Sequence, residues 1–234
     1  MNILITGASR GIGAATLELL RSKGHIVAGH STAGSGELIA ADFTDAAGPR
    51  ALWNAALERL GQIDVLVNNA GIYEGVSDDA SDDDWHAAWA RTLTVNLQAS
   101  ADLSRLAVAH FRERQSGGRI VNVSSRAGHR GDSPDHWHYA ASKAAILGMT
   151  KTIARGYAKD NILAFAVCPG FTMTGMVEDF MASRGISDAV VAEIPLGRVA
   201  NSEEVAETIR WLAIDAPAAS TGSVIDVNGA SYVR

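Results

Sequence analysis

The chain has 234 residues, 47% of them hydrophobic and 20% charged, and a formal net charge of -6. That suffices for one large α/β domain with a sizeable core, and the acidic balance lacks the basic face of nucleic-acid and anionic-membrane binders. A single cysteine, Cys168, excludes an intrachain disulfide, and no apolar run approaches the ~20 residues of a membrane helix.

The N-terminus, MNILITGAS, has no charged n-region and enters a strand pattern at once, so no signal peptide is expected. With the cysteine usage, this predicts a soluble cytoplasmic protein. The strand candidates are NILIT (2–6), HIVAG (25–29), ELIAA (37–41), DVLVN (64–68), RIVNVS (119–124), LAFAVC (163–168) and SVIDV (223–227). They are apolar almost throughout, as strands covered by helices on both faces must be. Helical patterns lie between most of them: 11–23, 49–60, 82–114 with a break near Asn96, 138–158 and 202–214. The acidic stretch DDASDDDW (78–85) reads as a solvated loop opening a helix. Ser202 is the expected N-cap of the last helix, with Val205 opening its apolar face. The alternation predicts one doubly wound parallel sheet of about seven strands spanning residues 1–234, with no internal boundary. Only HSTAGSG (30–36) joins the second and third strands, so a loop must replace the usual crossover helix there.

TGASRGIG (6–13) follows the first strand and opens the first helix. Its glycines permit a tight turn and close backbone approach, and free N–H groups at a helix N-terminus suit a pyrophosphate. Tyr139 and Lys143, four positions apart in YAASK, share one helix face. Two polar residues at that spacing are ordinary on an amphipathic helix; their neighbours decide the matter. Ser124 and Ser125 end the strand before them, at the same sheet edge as the glycine-rich turn. Reduction of a carbonyl by a nicotinamide hydride creates an alkoxide that needs a proton donor and a polarising group. A free tyrosine, with a pKa near ~10, is a poor donor at neutral pH. An ammonium about 4 Å away, at an effective dielectric near 20, offers roughly 4 kcal/mol to the phenolate.

The GxxxGxG spacing resembles the short-chain dehydrogenase/reductase family. The resemblance runs in order through NNAG (68–71), Asn96 in TVNLQAS, RIVNVSS (119–125), YAASK, PGFTMT (169–174), PLGRVANSEEV (195–205) and TGSVIDVNG (221–229). It implies a Rossmann-type fold with strand order 3-2-1-4-5-6-7. Tyr139 is then the acid/base, Lys143 tunes it and holds the ribose, Ser125 polarises the carbonyl, and Asn96 supports a proton relay. Ser124 is left to pack in the strand. Around the cofactor the resemblance places Gly7, Ser9, Arg10, Gly11, Ile12 and Gly13, then Ser31 and Thr32, Asp42 and Phe43 at the adenine edge, and Asn69, Ala70 and Gly71. Tyr139 and Lys143 complete the ribose side, followed by Pro169, Gly170, Thr172 and Thr174. Where the family's NAD-selecting carboxylate would sit, this chain has Ser31, and Arg10 matches a position where a basic residue favours a 2′-phosphate. NADP(H) is expected in preference to NAD(H).

The implied activity is hydride exchange with a ketone or secondary alcohol. The compact length and the tail most resemble 3-oxoacyl-[acyl-carrier-protein] reductase-like members, which makes an acyl-carrier-linked substrate one possibility. Residues 175–194 form the expected substrate lid, with Met176, Val177, Phe180 and Met181 as an apolar wall. Arg126, His129, Arg130, His136 and His138 crowd the serine–tyrosine loop, either as a solvated loop or as an attractant for an anionic substrate. The histidines show no metal-ligand pattern, and no metal is expected. The family implies a homotetramer or homodimer built on helices near 97–114 and 138–158 and the last strand. The competing reading is a catalytically idle NADP-binding sensor or scaffold of the same fold.

Overall fold

A computed structural model describes residues 1–173 and 188–234. The expected Thr174 contact and the lid residues 175–187, with Met176, Val177, Phe180 and Met181, lie outside the described residues. Seven parallel strands form the main sheet: β1 (Asn2–Ile5), β2 (Ile26–Ser31), β3 (Ile39–Ala40), β4 (Val65–Asn68), β5 (Gly118–Val123), β6 (Ile162–Pro169) and β9 (Val224–Val227). Their order is β3-β2-β1-β4-β5-β6-β9, as the sequence predicts. Two short strands, β7 (Thr172–Met173) and β8 (Ala200–Asn201), pair separately.

The unbroken apolar character of the strands follows from the period of two. Ile3, Ile5, Val65, Val67, Val121, Phe165 and Val167 turn to one face, against Leu17 and Leu20 of α1 (Gly11–Ser22) and Val205, Ile209 and Leu212 near the C-terminus. Leu4, Leu66, Ile120 and Ala164 turn to the other. There they meet Leu52 and Ala56 of α2 (Gly48–Leu60) and Leu103 and Phe111 on the long segment before β5.

That long segment is α3 (Asp82–Leu93), a five-residue π-turn (Thr94–Gln98) and α4 (Ala99–Arg114). The expected break at Asn96 is therefore a widened turn inside a continuous helix. Ser81 caps α3 by accepting from the Asp84 N–H, and Asp82, Asp83 and Asp84 sit in its first turn, where carboxylates oppose the helix dipole. The acidic stretch thus starts a helix. Further on come α5 (Ala127–Arg130), α6 (Trp137–Tyr157), the short α7 (Asp188–Ala192) and α8 (Ser202–Ile214). The cap of α8 is Asn201 rather than Ser202: Asn201 and Glu204 form a reciprocal capping box. Ser202 instead donates to the Met173 carbonyl, 2.8 Å away, tying the helix start to β7.

The connection between β2 and β3 contains no helix. Leu38 takes the helix's place, packing with the α1 face of the core. It fits because Gly29 has no side chain: a Cβ there would sit 2.4 Å from Leu17 and 2.6 Å from Leu38. The sheet order reverses between β1 and β4, and a crevice for ligands opens beyond the carboxyl ends of the strands at such a point. Close packing there depends on Gly13, where an added Cβ would lie 2.0 Å from the Gly7 carbonyl oxygen. A Gly13→Ala substitution should cost at least about 3 kcal/mol in chemical denaturation. Gly156→Ala, near the end of α6 in open space, should gain about 0.5 kcal/mol.

Candidate active site

The first turn after β1 is held by residues around it more than by its own chain. Thr6, the residue after β1, accepts hydrogen bonds at Oγ1 from the backbone N–H groups of Asn69 (3.0 Å) and Ala70 (2.9 Å). The Asn69 amide donates back to the carbonyls of Thr6 (3.0 Å) and Gly7 (2.9 Å). Gly7 is left-handed, at φ 65°, and its N–H donates to Nδ1 of His30, 3.2 Å away. With Nδ1 accepting, the His30 ring proton is on Nε2, which donates to the Ala41 carbonyl (2.9 Å). The His30 ring stacks on Phe43, centroids 4.4 Å apart.

The N-terminus of α1 carries no side-chain cap and no acidic residue in its first turn. Gly11, Ile12 and Gly13 thus direct their backbone N–H groups outward at the positive end of the helix dipole, which fits a diphosphate. Ser9 and Arg10 are exposed beside them. Ser31 ends β2, buried, and its Oγ accepts from the Gly34 N–H (3.1 Å); Thr32 is exposed next to it. Asp42 is exposed, and hydrogen bonds from Thr44 hold its carboxyl below the usual range. The Phe43 ring faces inward to His30. The next carboxylate after Ser31, Glu37, reaches Arg21 (3.1 Å) and Arg59 (3.8 Å), in the last turns of α1 and α2, away from the carboxyl edge.

The second half of the site sits beside the first. Asn96, in the π-turn, clasps the Ile72 backbone: its Oδ1 accepts from the N–H (2.8 Å) and its Nδ2 donates to the carbonyl (3.0 Å). Nδ2 also donates to Ser142 Oγ (3.3 Å), which donates to the Tyr139 carbonyl (2.7 Å). Lys143 is buried and donates from Nζ to the Val123 carbonyl (3.0 Å). A Cβ on Gly71 would lie 3.3 Å from Asn96 Oδ1 and 3.4 Å from Lys143 Nζ, so the NNAG turn closes on both. Ser124 donates to the Lys143 carbonyl (2.7 Å), whereas Ser125, partly exposed, is hydrogen-bonded with Tyr139. Pro169 accepts from the Arg126 N–H (2.9 Å), Gly170 donates to the Val227 carbonyl (3.0 Å), and Thr172 is buried behind them.

The electrostatics differ from the simple pairing of an ammonium with a phenolate. Lys143 Nζ lies 5.7 Å from the Tyr139 ring centroid. Burial pushes the Tyr139 hydroxyl up to about 12, against the lowering by its Ser125 hydrogen bond, and brings Lys143 down to about 8. Desolvation outweighs attraction, and it favours the neutral form of each group.

Several neighbours were not legible as site residues. Thr6 opens the glycine-rich motif but has no expected role in it, and His30 has no motif around it. Tyr73 donates to Asp132 (3.2 Å), stacks on His136 at 3.9 Å and meets the Tyr139 ring edge-on at 4.8 Å. Gly128 lets α5 touch α6 at Lys143, since a Cβ would lie 2.8 Å from the Lys143 carbonyl carbon. The basic crowd of the serine–tyrosine loop disperses. Arg126 is buried 4.3 Å over Phe171, Arg130 faces Glu193 at 3.9 Å, and His138 is buried against Trp89. Burial holds His129 and His138 below the usual histidine range, so neither adds positive charge at neutral pH.

A family model described as Enoyl-(Acyl carrier protein) reductase matches residues 7–230. Among curated proteins, the 3-oxoacyl-[acyl-carrier-protein] reductase of Escherichia coli is 33% identical over 98% of this chain and 96% of its own. That of Thermotoga maritima is 36% identical, over 97% and 95%. The chain belongs to the short-chain dehydrogenase/reductase family. The chain also superposes on the crystal structure of 3-ketoacyl-(acyl-carrier-protein) reductase from Brucella melitensis complexed with NADH. The TM-score is 0.87 and the identity 26%, covering 99% of this chain and 98% of that one.

Part of the pH dependence of stability follows from His30, whose burial lowers its pKa from 6.5. The unfolded chain takes up that proton as pH falls through about 6.5 and the folded one only at lower pH, so the stabilisation is complete above about 6.5 and lost below it. Between about pH 6.5 and 5 the thermal midpoint should fall less steeply for His30→Gln, which keeps a donor and an acceptor without titrating, than for the wild type.

Proposed function

We propose that this reductase interconverts a ketone and a secondary alcohol using NADP(H), with a 3-oxoacyl thioester as the substrate class that the relatives favour. The observation that carries the reading is the convergence of Ser125, Tyr139, Lys143 and Asn96 at the sheet edge where the glycine-rich turn leaves β1. The bound nicotinamide supplies or accepts the hydride. Tyr139 gives its proton to the carbonyl oxygen, Ser125 donates a hydrogen bond to the same oxygen, and Lys143 holds the ribose. Asn96 fixes the Ile72 backbone and the Lys143 surroundings through which protons are resupplied. Because burial leaves Tyr139 protonated, the resting site is poised as an acid, suited to reduction. The clasp of Thr6, Asn69 and His30 fixes the turn that faces the diphosphate. The fit to assembly as a homotetramer rests on the alanine-rich α4 and α6 and on β9.

Oxidation of NADPH over a panel of ketones, aldehydes, quinones and acyl thioesters tests the activity. Tyr139→Phe should lower kcat by about 10²–10⁴-fold on the best substrate, with nucleotide affinity unchanged within a few-fold. Full turnover in that variant would place the proton donor elsewhere, and a wild type inactive on the whole panel would favour the idle sensor or scaffold. The preference for NADP(H) is supported by exposed Arg10, the hydroxyls of Ser31 and Thr32, and the absence of a carboxylate before Glu37, which the two arginines engage. Arg10→Ala should raise the KM for NADPH by about tenfold or more and leave that for NADH nearly unchanged. A wild-type enzyme more efficient with NADH reverses the preference.

A further inference from the structure

Behind Tyr139 and Lys143, three side chains from separate segments aim donor atoms at one point. Cys168, fully buried near the end of β6, pairs in register with Asp226 of β9. His129, on α5, lies above them. Its Nε2 is 3.5 Å from Cys168 Sγ and 3.8 Å from Asp226 Oδ1, and the three donors all lie within 4.8 Å of one another.

The arrangement is not a nucleophile–base–acid relay. In a relay the thiol and the carboxylate occupy opposite ring nitrogens of the histidine, whereas here both approach Nε2. A plain S–H···N hydrogen bond accounts for two members only. It leaves Asp226 Oδ1 buried with no hydrogen-bond partner among the described residues, an arrangement that costs free energy unless something else satisfies the oxygen.

We propose that His129, Cys168 and Asp226 form a zinc site with a fourth position open to solvent. Zinc bond lengths to sulfur, nitrogen and oxygen imply ligand–ligand edges of about 3.3–3.6 Å in a tetrahedron. The three donors reach that spacing by side-chain movements between a few tenths of an ångström and about one. A thiolate with an imidazole selects zinc over magnesium or calcium. Binding forms a zinc–sulfur bond and releases the thiol proton to solvent; His129 enters as neutral imidazole, and thiolate plus carboxylate neutralise the ion. The surroundings suit the ligands. Arg234 Nε donates to Asp226 Oδ2 (3.0 Å) and leaves Oδ1 facing the cluster, and Tyr232 stacks on the His129 ring at 5.7 Å. A cavity of about 470 Å³ lined by Asp226, Asn228, Tyr232 and Arg234 provides a way in. The ion would sit where Cys168 already bears electrostatically on Tyr139 and Lys143. It would tie α5, which begins two residues after Ser125, to the last strand. The sequence hides the set because His129 and Cys168 are 39 residues apart and Asp226 lies farther on.

Titration of the metal-free full chain with cobalt(II) tests this, and Cys168 being the chain's one cysteine makes the readout specific. The expected result is one equivalent bound, with a thiolate-to-cobalt charge-transfer band that zinc displaces. The thermal midpoint should rise with zinc and return with chelator. Asp226→Asn, which preserves shape, should weaken binding by about tenfold or more, and Cys168→Ser should abolish the band. Absence of the band at stoichiometric cobalt, or unchanged affinity in Asp226→Asn, overturns the proposal. The wild-type spectrum and Asp226→Asn decide the matter even if Cys168→Ser does not fold.

Discussion

Two consecutive N–H groups leaving β4 converge on one threonine hydroxyl at the end of β1, and the site is assembled around that junction. The two strands flank the point where the sheet reverses direction, so nothing in the βαβ connectivity itself fixes how their exits meet. Thr6 fixes it. Once the exits are joined, the Asn69 amide reaches both carbonyls of the turn, and Gly13 must approach the Gly7 carbonyl so closely that no side chain fits. Asn69, which resemblance assigns to the cofactor, therefore works first on the protein, and the turn's shape exists before any nucleotide arrives.

A second constraint, dehydration, governs the half of the site around Tyr139 and Lys143. Burial raises Tyr139 and lowers Lys143, so both groups lean toward neutrality until something polar occupies the pocket. The polar contacts that keep this tolerable run through backbone carbonyls: Val123 accepts from Lys143, and the carbonyls of Lys143 and Tyr139 accept from Ser124 and Ser142. The strand and helix thereby set the positions of Tyr139 and Lys143, leaving the Ser125–Tyr139 contact facing the crevice. This is pre-organisation by main chain, which a rigid scaffold supplies better than flexible side chains do.

Much of this was readable in the sequence because it is local. Strand runs with apolar residues on both faces, helix periodicity, a glycine-rich turn and a four-residue spacing all express short-range geometry, and the sheet order followed from the alternation together with the family resemblance. What escaped is long-range or competitive. Whether Asn201 or Ser202 caps the last helix depends on Glu204 and Met173 competing for them. His30 in HSTAGSG looks like any loop histidine until β1 and Phe43 are placed on either side of it. The five basic residues before Tyr139 resemble one charged patch on paper, but the short α5 and the turn after it send them to different environments. The tyrosine–lysine distance fixes a shared helix face, yet the balance between attraction and lost hydration is set by every atom packed around them.

The π-turn at Thr94–Gln98 shows what such wide spacing entails for change. It accommodates one residue more than an α-helix of the same rise, and Asn96 sits within it. Deleting a single residue there would restore regular hydrogen bonding and, because the extra residue is absorbed within the turn, would leave Leu103 and Phe111 facing the sheet. What it would remove is the clasp on Ile72, since Asn96 reaches that backbone from within the widened turn. The irregularity is thus kept by the site and not by the core beyond it: the chain can straighten this helix without rebuilding the fold, but not without losing the asparagine's hold beside Lys143.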